Sequence, residues 1–474
     1  MQVDEMMSVL TAQRTAFTAE LPVTRAVRED RLKRLAAMII DNAKNLVQAM
    51  SDDFGHRSHA QSMLTDIGGS VSPIKHSLKH LAAWMKPEKR KMPFPMGLTG
   101  ASAQIEYQPK GVVGVIAPWN FPVQLTIVPL AGIFAAGNRA MVKSSEVTPA
   151  VAAAFEDIGP KYFDSAELAF FSGGPEIGRQ FASLPFDHII FTGATGIGRH
   201  ILHAAADNLV PVTLELGGKS PTIIGRSADI GMATGRIATA KMLNAGQICL
   251  APDYVFLPRE SEAAVVAGFR QAVSEMYPTL LANPDFTSVV NDRHHVRLAG
   301  YLDDARAKGG EVVAINPGNE DFGSSNSHKM PLHLVLNASE DMAVMREEIF
   351  GPVLPLMRYN QIDEAIDYVN AHDRPLGLYY FGADTAEQKR VLERTISGGV
   401  TVNDVMFHVG IDDLPFGGIG PSGMGSYHGI DGFRTFSHAK SVYRQGKLDL
   451  SKLGGMRPPY GKTTQASIAR MLKM

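Results

Sequence analysis

The sequence predicts an α/β protein built on parallel sheets, and three observations carry that prediction. Short apolar runs recur, with Val112-Val113-Gly114-Val115-Ile116-Ala117 the clearest, as expected of strands buried on both faces. Segments of helical length separate successive runs, as crossovers between parallel strands require. At 474 residues the chain can bury a large core and divide into two or three domains.

In chain order, Leu32, Leu35, Ile39, Leu46 and Met50 recur at helical spacing, and Ser51 to Gly55 ends that helical segment. A second helical stretch covers roughly 60–86. Residues 87–100, rich in Pro, Gly and basic side chains, read as a connector, and Ala103 to Tyr107 alternate like a strand with one wet face. After the run at 112–117 come a helix at 123–137, a strand at 140–143 and a helix at 149–160. A strand at 187–192, a helix from 196 and a strand at 211–215 follow. A second alternating block spans 220–405, with strands at 220–224 and 254–257 and helices at 261–276, 292–308, 361–370 and 384–397. Its polar stretch 315–330 reads as a surface loop. Beyond 405 the chain turns Gly-rich, and its tail holds one strand candidate, 441–444, and a short helix.

Composition excludes several classes. A formal charge of −2 steers the chain toward neither nucleic acid nor an anionic membrane. No apolar run approaches the ~20 residues that span a bilayer. The N-terminal residues lack the basic and apolar regions of a signal peptide, so a cytoplasmic location is expected. The single cysteine, Cys249, cannot form an intrachain disulfide and suits a reducing compartment. It lies between Gly246 and Pro252, where a helix end and a turn are expected. A thiol on such a turn can attack a bound ligand, although a lone cysteine is also a common buried small hydrophobe.

Other stretches carry chemistry. Gly193-Ala194-Thr195-Gly196-Ile197-Gly198 joins a strand to a helix, where backbone N–H groups and a helix dipole can hold a pyrophosphate. Glu215 lies at the distance where an acidic residue contacts ribose, and Leu216-Gly217-Gly218-Lys219 follows it. Glu215 therefore reads equally as a ribose ligand or as a base serving a thiol. Pro118-Trp119-Asn120-Phe121-Pro122 stiffens a loop at a strand's carboxyl end, where the Asn120 amide can face a developing oxyanion. His294, His295 and His428 lack metal-ligand spacing with carboxylates or thiols, so no metal is expected.

Six motifs in order make the chain resemble the aldehyde dehydrogenase superfamily over nearly its whole length. They are Pro118 to Pro122, Phe191-Thr192-Gly193 with Thr195 and Gly198, and Glu215 to Lys219. Gly246 to Cys249, Glu348-Ile349-Phe350-Gly351-Pro352 and Pro415-Phe416-Gly417-Gly418 complete the set. Cys249 to Tyr254, Val402 to Val405 and Ser422 to Gly429 are similar to its class 3 branch.

The resemblance implies oxidation of an aldehyde with NAD, NADP being tolerated. Cys249 would add to the carbonyl as a thiohemiacetal, and Asn120 with the Cys249 N–H would hold the oxyanion. Hydride transfer would leave a thioester, which water activated by Glu215 would hydrolyse. The cofactor contacts implied are Trp119, Lys143, Glu146, Gly193, Ala194, Thr195, Gly198, Leu216, Glu348 and Phe350. Many relatives carry Ser where this chain has Ala194, so backbone amides would serve the pyrophosphate there. Glu146 argues for NAD over NADP, because a carboxylate accepts from a ribose hydroxyl and repels a phosphate.

The fold implied is a Rossmann-type dinucleotide domain (1–97 and 112–216), an α/β catalytic domain (217–418) and a small β oligomerisation element (98–111 and 419–474). A homodimer is implied. Phe121, Phe407, His408 and Tyr427 point to an aromatic, coniferyl aldehyde-like substrate or a medium-chain aliphatic aldehyde. The alternatives are an acylating dehydrogenase using coenzyme A, a Cys–Glu hydrolase and a catalytically silent relative.

Overall fold

The computed structural model describes residues 2–94, 96–325 and 327–473. Three sheets organise them. The first has six strands in the spatial order Gly423–Met424, Val212–Glu215, His188–Thr192, Val112–Ile116, Arg139–Lys143 and Leu168–Phe171. Its pairings are parallel except that of Gly423–Met424. The chain winds outward from Val112–Ile116 to one side, through Arg139–Lys143 and Leu168–Phe171. It then returns to the other side of that strand as His188–Thr192. The crossover direction reverses there, and the reversal opens a crevice at the carboxyl ends of Val112–Ile116 and His188–Thr192.

The second sheet orders Glu311–Ile315, Leu332–Leu336, Val353–Tyr359, Tyr254–Pro258, Pro221–Ile224, Gly377–Phe381 and Gly399–Val402. It is parallel except for the edge pair Glu311–Ile315 with Leu332–Leu336. The third sheet is antiparallel. Ser102–Pro109 lies between Glu88–Arg90 and Ser437–Arg444, registered from Ser102 opposite Arg444 to Pro109 opposite Ser437. Two short strands cross the boundaries drawn from sequence: Glu88–Arg90 joins the small sheet and Gly423–Met424 the six-stranded one.

The anticipated elements are present, with departures that have physical causes. The first helical segment divides at Asn42, whose side chain turns back to donate to the Met38 carbonyl at 2.9 Å. Helix Ala43–Asp53 then ends where expected. Asp53 accepts from the Ala150 and Val151 N–H groups at 2.8 and 3.0 Å, capping the helix Pro149–Tyr162 from outside. The stretch expected as one helix near 60–86 contains a π-helical segment, Met63–Gly68, before Gly69–Trp84. The extra backbone residue in that turn carries the fully buried Asp66 toward helix Gln124–Ala136. Leu168–Phe171 and helix Pro175–Ala182 were not anticipated, because the strand is short and only its ends are buried.

Helix Gln124–Ala136 is buried from Thr126 to Ala136, so it is apolar all round rather than amphipathic. It packs against helices Gly69–Trp84 and Arg25–Asp41. No helix among the described residues is long and apolar enough to cross a membrane.

Candidate active site

The site assembles where loops from the first two sheets meet. The loop after Val112–Ile116 carries Trp119 and Asn120. Asn120 is buried, and its amide donates to the Gln247 carbonyl at 3.1 Å. Its own carbonyl accepts from Arg57 Nη1 at 2.9 Å and Asn244 Nδ2 at 3.0 Å.

The cysteine turn follows helix Ile230–Met242. Asn244, Ala245 and Gly246 have φ of 50°, 51° and 70°, three left-handed residues in succession. Asn and Gly enter that region readily, but Ala does so at a cost of about 1–2 kcal/mol. The surroundings hold the turn. Gln247 is fully buried, its Nε2 donating to the Asn244 and Ser288 carbonyls at 2.8 and 3.0 Å. Its Oε1 accepts from the Val290 N–H at 2.9 Å. A β-carbon on Gly246 would lie 2.5 Å from the Gly351 carbonyl oxygen, so this turn fits closely against the loop bearing Phe350.

Cys249 projects from this turn as a half-buried free thiol. Burial, with Glu348 and Glu215 as charged neighbours, pushes it up to about 12. The N–H groups of Cys249 and Leu250 oppose that shift by facing the sulfur. Tyr379 donates to the Leu250 carbonyl at 2.7 Å, and buried Tyr427 lies in the field of both Cys249 and Glu215.

Glu215 ends the strand Val212–Glu215. Its carboxyl is buried, and neither oxygen has a hydrogen-bond partner among the described residues. Burial alone raises it well above the ordinary carboxylate range. An orphaned buried carboxyl is rare in folded proteins because it forfeits hydration without replacement. Here both oxygens remain available to a bound group.

Glu348 is half-buried with its Oε1 buried and unpartnered, and burial of the carboxyl, with Asp253 nearby, raises it to about 8. It lies so close over Gly217 that a β-carbon there would be 2.2 Å from its oxygens. Its loop is held by Asp253, which accepts from the Ile349 N–H at 3.0 Å and is ion-paired to Lys219.

The structure brings most of the sequence-selected cofactor contacts into small groups. Trp119 and Phe350 are edge-on neighbours with centroids 5.2 Å apart, and His294 lies 4.9 Å from Trp119. Phe350 holds a φ of 48°, an uncommon conformation for an aromatic residue. The Gly193 N–H donates to the Glu215 carbonyl at 3.0 Å. Gly198 lies against Leu216, whose Cδ2 would be 2.7 Å from any β-carbon at that position. Ala194 caps helix Thr195–Ala206 without a side-chain bond, and Thr195 Oγ1 donates to the Pro421 carbonyl at 3.1 Å. The Thr195 hydroxyl is thus engaged by the protein itself.

Lys143 and Glu146 stand apart from the thiol cluster, at the carboxyl end of Arg139–Lys143. Their charged groups are 3.9 Å apart, and burial lowers Lys143. These features fit a dinucleotide: a switch-point crevice, a glycine turn into a helix, and an unpartnered Glu348 oxygen able to accept from a ribose hydroxyl. Of the aromatic residues expected near the entrance, Phe407 is exposed and His408 half-buried, whereas Phe121 is buried against the Arg57 guanidinium. Sequence reasoning missed Arg57, Asp66, Asn244 and the bracing role of Gln247. The polar residues crowding an otherwise apolar turn were the available signal.

The aldehyde dehydrogenase family model matches residues 1–442. The chain is 54% identical to a probable coniferyl aldehyde dehydrogenase of Caulobacter vibrioides, covering 99% of this chain and 97% of that one. It is 52% identical to a coniferyl aldehyde dehydrogenase of a Pseudomonas species, covering 99% and 96%. The solved substrate-bound state of Staphylococcus aureus AldH superposes with a TM-score of 0.92 at 34% identity, covering 99% of each chain. The chain therefore belongs to the aldehyde dehydrogenase family, whose reaction is the NAD(P)-dependent oxidation of an aldehyde to its acid.

Proposed function

We propose that Cys249 is the nucleophile, Glu215 the base for the hydrolytic water, and Asn120 with the Cys249 N–H the oxyanion donors. One observation carries this reading: Glu215 is buried beside Cys249 with both oxygens unpartnered. The thiol's proton passes to solvent as the sulfur adds to the aldehyde carbon, giving the thiohemiacetal as an oxyanion held by Asn120 and the Cys249 N–H. Glu348, Phe350, Trp119, Lys143 and the turn Gly193 to Gly198 would hold NAD(P), which would supply the acceptor for the hydride leaving the adduct's carbon, so that a thioester remains on Cys249. Glu215 then takes a proton from water as the water attacks the thioester, and Cys249 leaves as thiolate.

Asn120 acts by turning its amide from the Gln247 carbonyl toward the oxyanion, or by sharing its two N–H groups between them. Glu348, Phe350, Trp119, Lys143, Glu146 and the turn Gly193 to Gly198 with Leu216 form the dinucleotide side. The domain boundaries drawn from sequence are kept with this assignment, except that Glu88–Arg90 goes with the small sheet and Gly423–Met424 with the six-stranded one. NAD is preferred to NADP, because the Glu146 carboxylate would repel a 2′-phosphate.

The substrate class is an aromatic aldehyde of the coniferyl type, supported by the names of two relatives above 50% identity. The protein acts in the cytoplasm as a homodimer, the edges of the small sheet favouring a second subunit. The test is NADH formation with coniferyl aldehyde and NAD, with and without coenzyme A. Turnover independent of coenzyme A supports the hydrolytic reading. A strict requirement for it indicates acyl transfer, and no NADH from the aldehyde together with hydrolysis of an aryl ester indicates a hydrolase.

A further inference from the structure

Helix Gly69–Trp84 presents His76 and His80 one turn apart on one face. Their rings lie 4.3 Å apart between centroids, against Trp84 at 5.7 and 6.0 Å. The loop before Phe416 docks onto the same face. Ser72 donates to Asp412 at 3.3 Å, and Asp413 Oδ1 stands 4.0 Å from His76 Nε2. Gly429, with a φ of 50°, packs so closely on the Asp412 carbonyl that a β-carbon would lie 2.1 Å from it, which fixes the loop beside the helix.

One donor atom from each of His76, His80 and Asp413 falls within 4.8 Å of the others. His76 Nε2 is buried and has no hydrogen-bond partner among the described residues. An imidazole nitrogen in that state ordinarily finds a carbonyl, a hydroxyl or water.

We propose that His76, His80 and Asp413 form a site for a borderline divalent transition ion such as Zn²⁺ or Ni²⁺, separate from the nucleophile. Two imidazoles and one carboxylate are a donor set for these ions rather than for Mg²⁺ or Ca²⁺. A shared ion ~2.1 Å from each donor requires small adjustments, which Asp413 can supply because its side chain is 77% exposed. Three ligands leave at least one position for water. The bound ion would tie helix Gly69–Trp84 to the loop at 411–413, beside the long Ser72–Asp412 and His76–Asp413 contacts.

The test is calorimetric titration of the full-length enzyme with Zn²⁺ alone and Ni²⁺ alone, and visible absorption after adding Co²⁺. One equivalent per chain is expected, retained in Cys249→Ala. His76→Ala and His80→Ala should each weaken it by at least ~10-fold, the lower bound for losing even an outer partner of a ligand. Asp413→Asn should weaken it less. NADH formation without added metal should match the wild type in the His80→Gln variant, which removes a ligand while preserving polarity and so controls for folding. The proposal is overturned if the wild type binds no equivalent, if the histidine variants bind as the wild type does, or if Cys249→Ala abolishes binding.

Discussion

The carbonyl oxygen of Asn120 accepts a hydrogen bond from Arg57 Nη1 at 2.9 Å, and both residues are buried. Arg57 is held at 2.7 Å by Asp66, whose other oxygen accepts from the Val123 and Gln124 N–H groups at 3.2 Å each. The loop carrying Asn120 is thus braced from the π-helical segment below it, and the helix after it is capped by the same carboxylate. Burial favours the neutral form of each partner and their contact favours the ionised pair. Removing one partner leaves the other charge without compensation.

Asp66→Asn should therefore destabilise the protein by about 3–5 kcal/mol, the range for breaking a buried ion pair. Denaturant unfolding measures this, and a midpoint equal to the wild type's would contradict the bracing role. Because the brace ends on Asn120, activity at a temperature where the variant remains folded should fall as well.

Cys249→Ala should abolish both NADH formation and any esterase activity while NAD still binds. Glu215→Gln should instead lower steady-state turnover by ~10²–10⁴-fold, the usual span for losing a general base. It should release about one NADH per site in a burst. Mass spectrometry of the quenched variant should find the acyl group on Cys249. If Glu215→Gln turns over normally and loses only NAD affinity, Glu215 is a ribose ligand.

The pH dependence follows from the same burial. The thiol is raised to about 12, so the thiolate fraction increases with pH throughout the neutral and mildly alkaline range. Below that value each unit adds roughly tenfold. Glu215→Gln removes one cause of that rise, but burial and Glu348 still hold the thiol up, so the variant's burst rate should climb with pH from about pH 7. In the wild type, Glu215 is also raised and gains base strength by losing its proton over rising pH, so both steps accelerate in the same direction. A burst rate flat over that range would show that cofactor or substrate binding lowers the thiol.

Glu146→Gln removes the carboxylate 3.9 Å from Lys143. The kcat/KM ratio of NADP to NAD should increase several-fold, because a neutral amide no longer repels a phosphate and Lys143 loses its competing anion. An unchanged ratio would remove Glu146 from cofactor selection.

Gly246→Ala places a β-carbon 2.5 Å from the Gly351 carbonyl oxygen at a φ of 70°. Strain of this kind costs on the order of 1–3 kcal/mol before any clash is counted. Lower thermal stability and lower activity are both expected, since the displaced turn carries Cys249 and the opposing loop carries Phe350.

The sequence by itself determined the alternation of strand and helix and the position of the cysteine turn, and it singled out Cys249, Glu215 and Asn120 as candidates. Each was legible because its signal is local: apolar runs of strand length, glycines at turns, and short motifs in a fixed order. Strands Glu311–Ile315, Leu332–Leu336, Val353–Tyr359, Gly377–Phe381 and Gly399–Val402 were not singled out, and their order in the sheet was not legible. A strand's neighbour is chosen by closure of distant chain, which no local period records. The tertiary structure alone decided that Asn120 binds the Gln247 carbonyl, that Arg57 and Asp66 brace it, and that Asp413 meets His76. It also decided the chemistry of the carboxyls. Removal from water raises the proton affinity of Glu215, and removal from water together with the charge of Asp253 raises that of Glu348. Desolvation belongs to the atoms around a group, so it is absent from the sequence until the chain has closed over it.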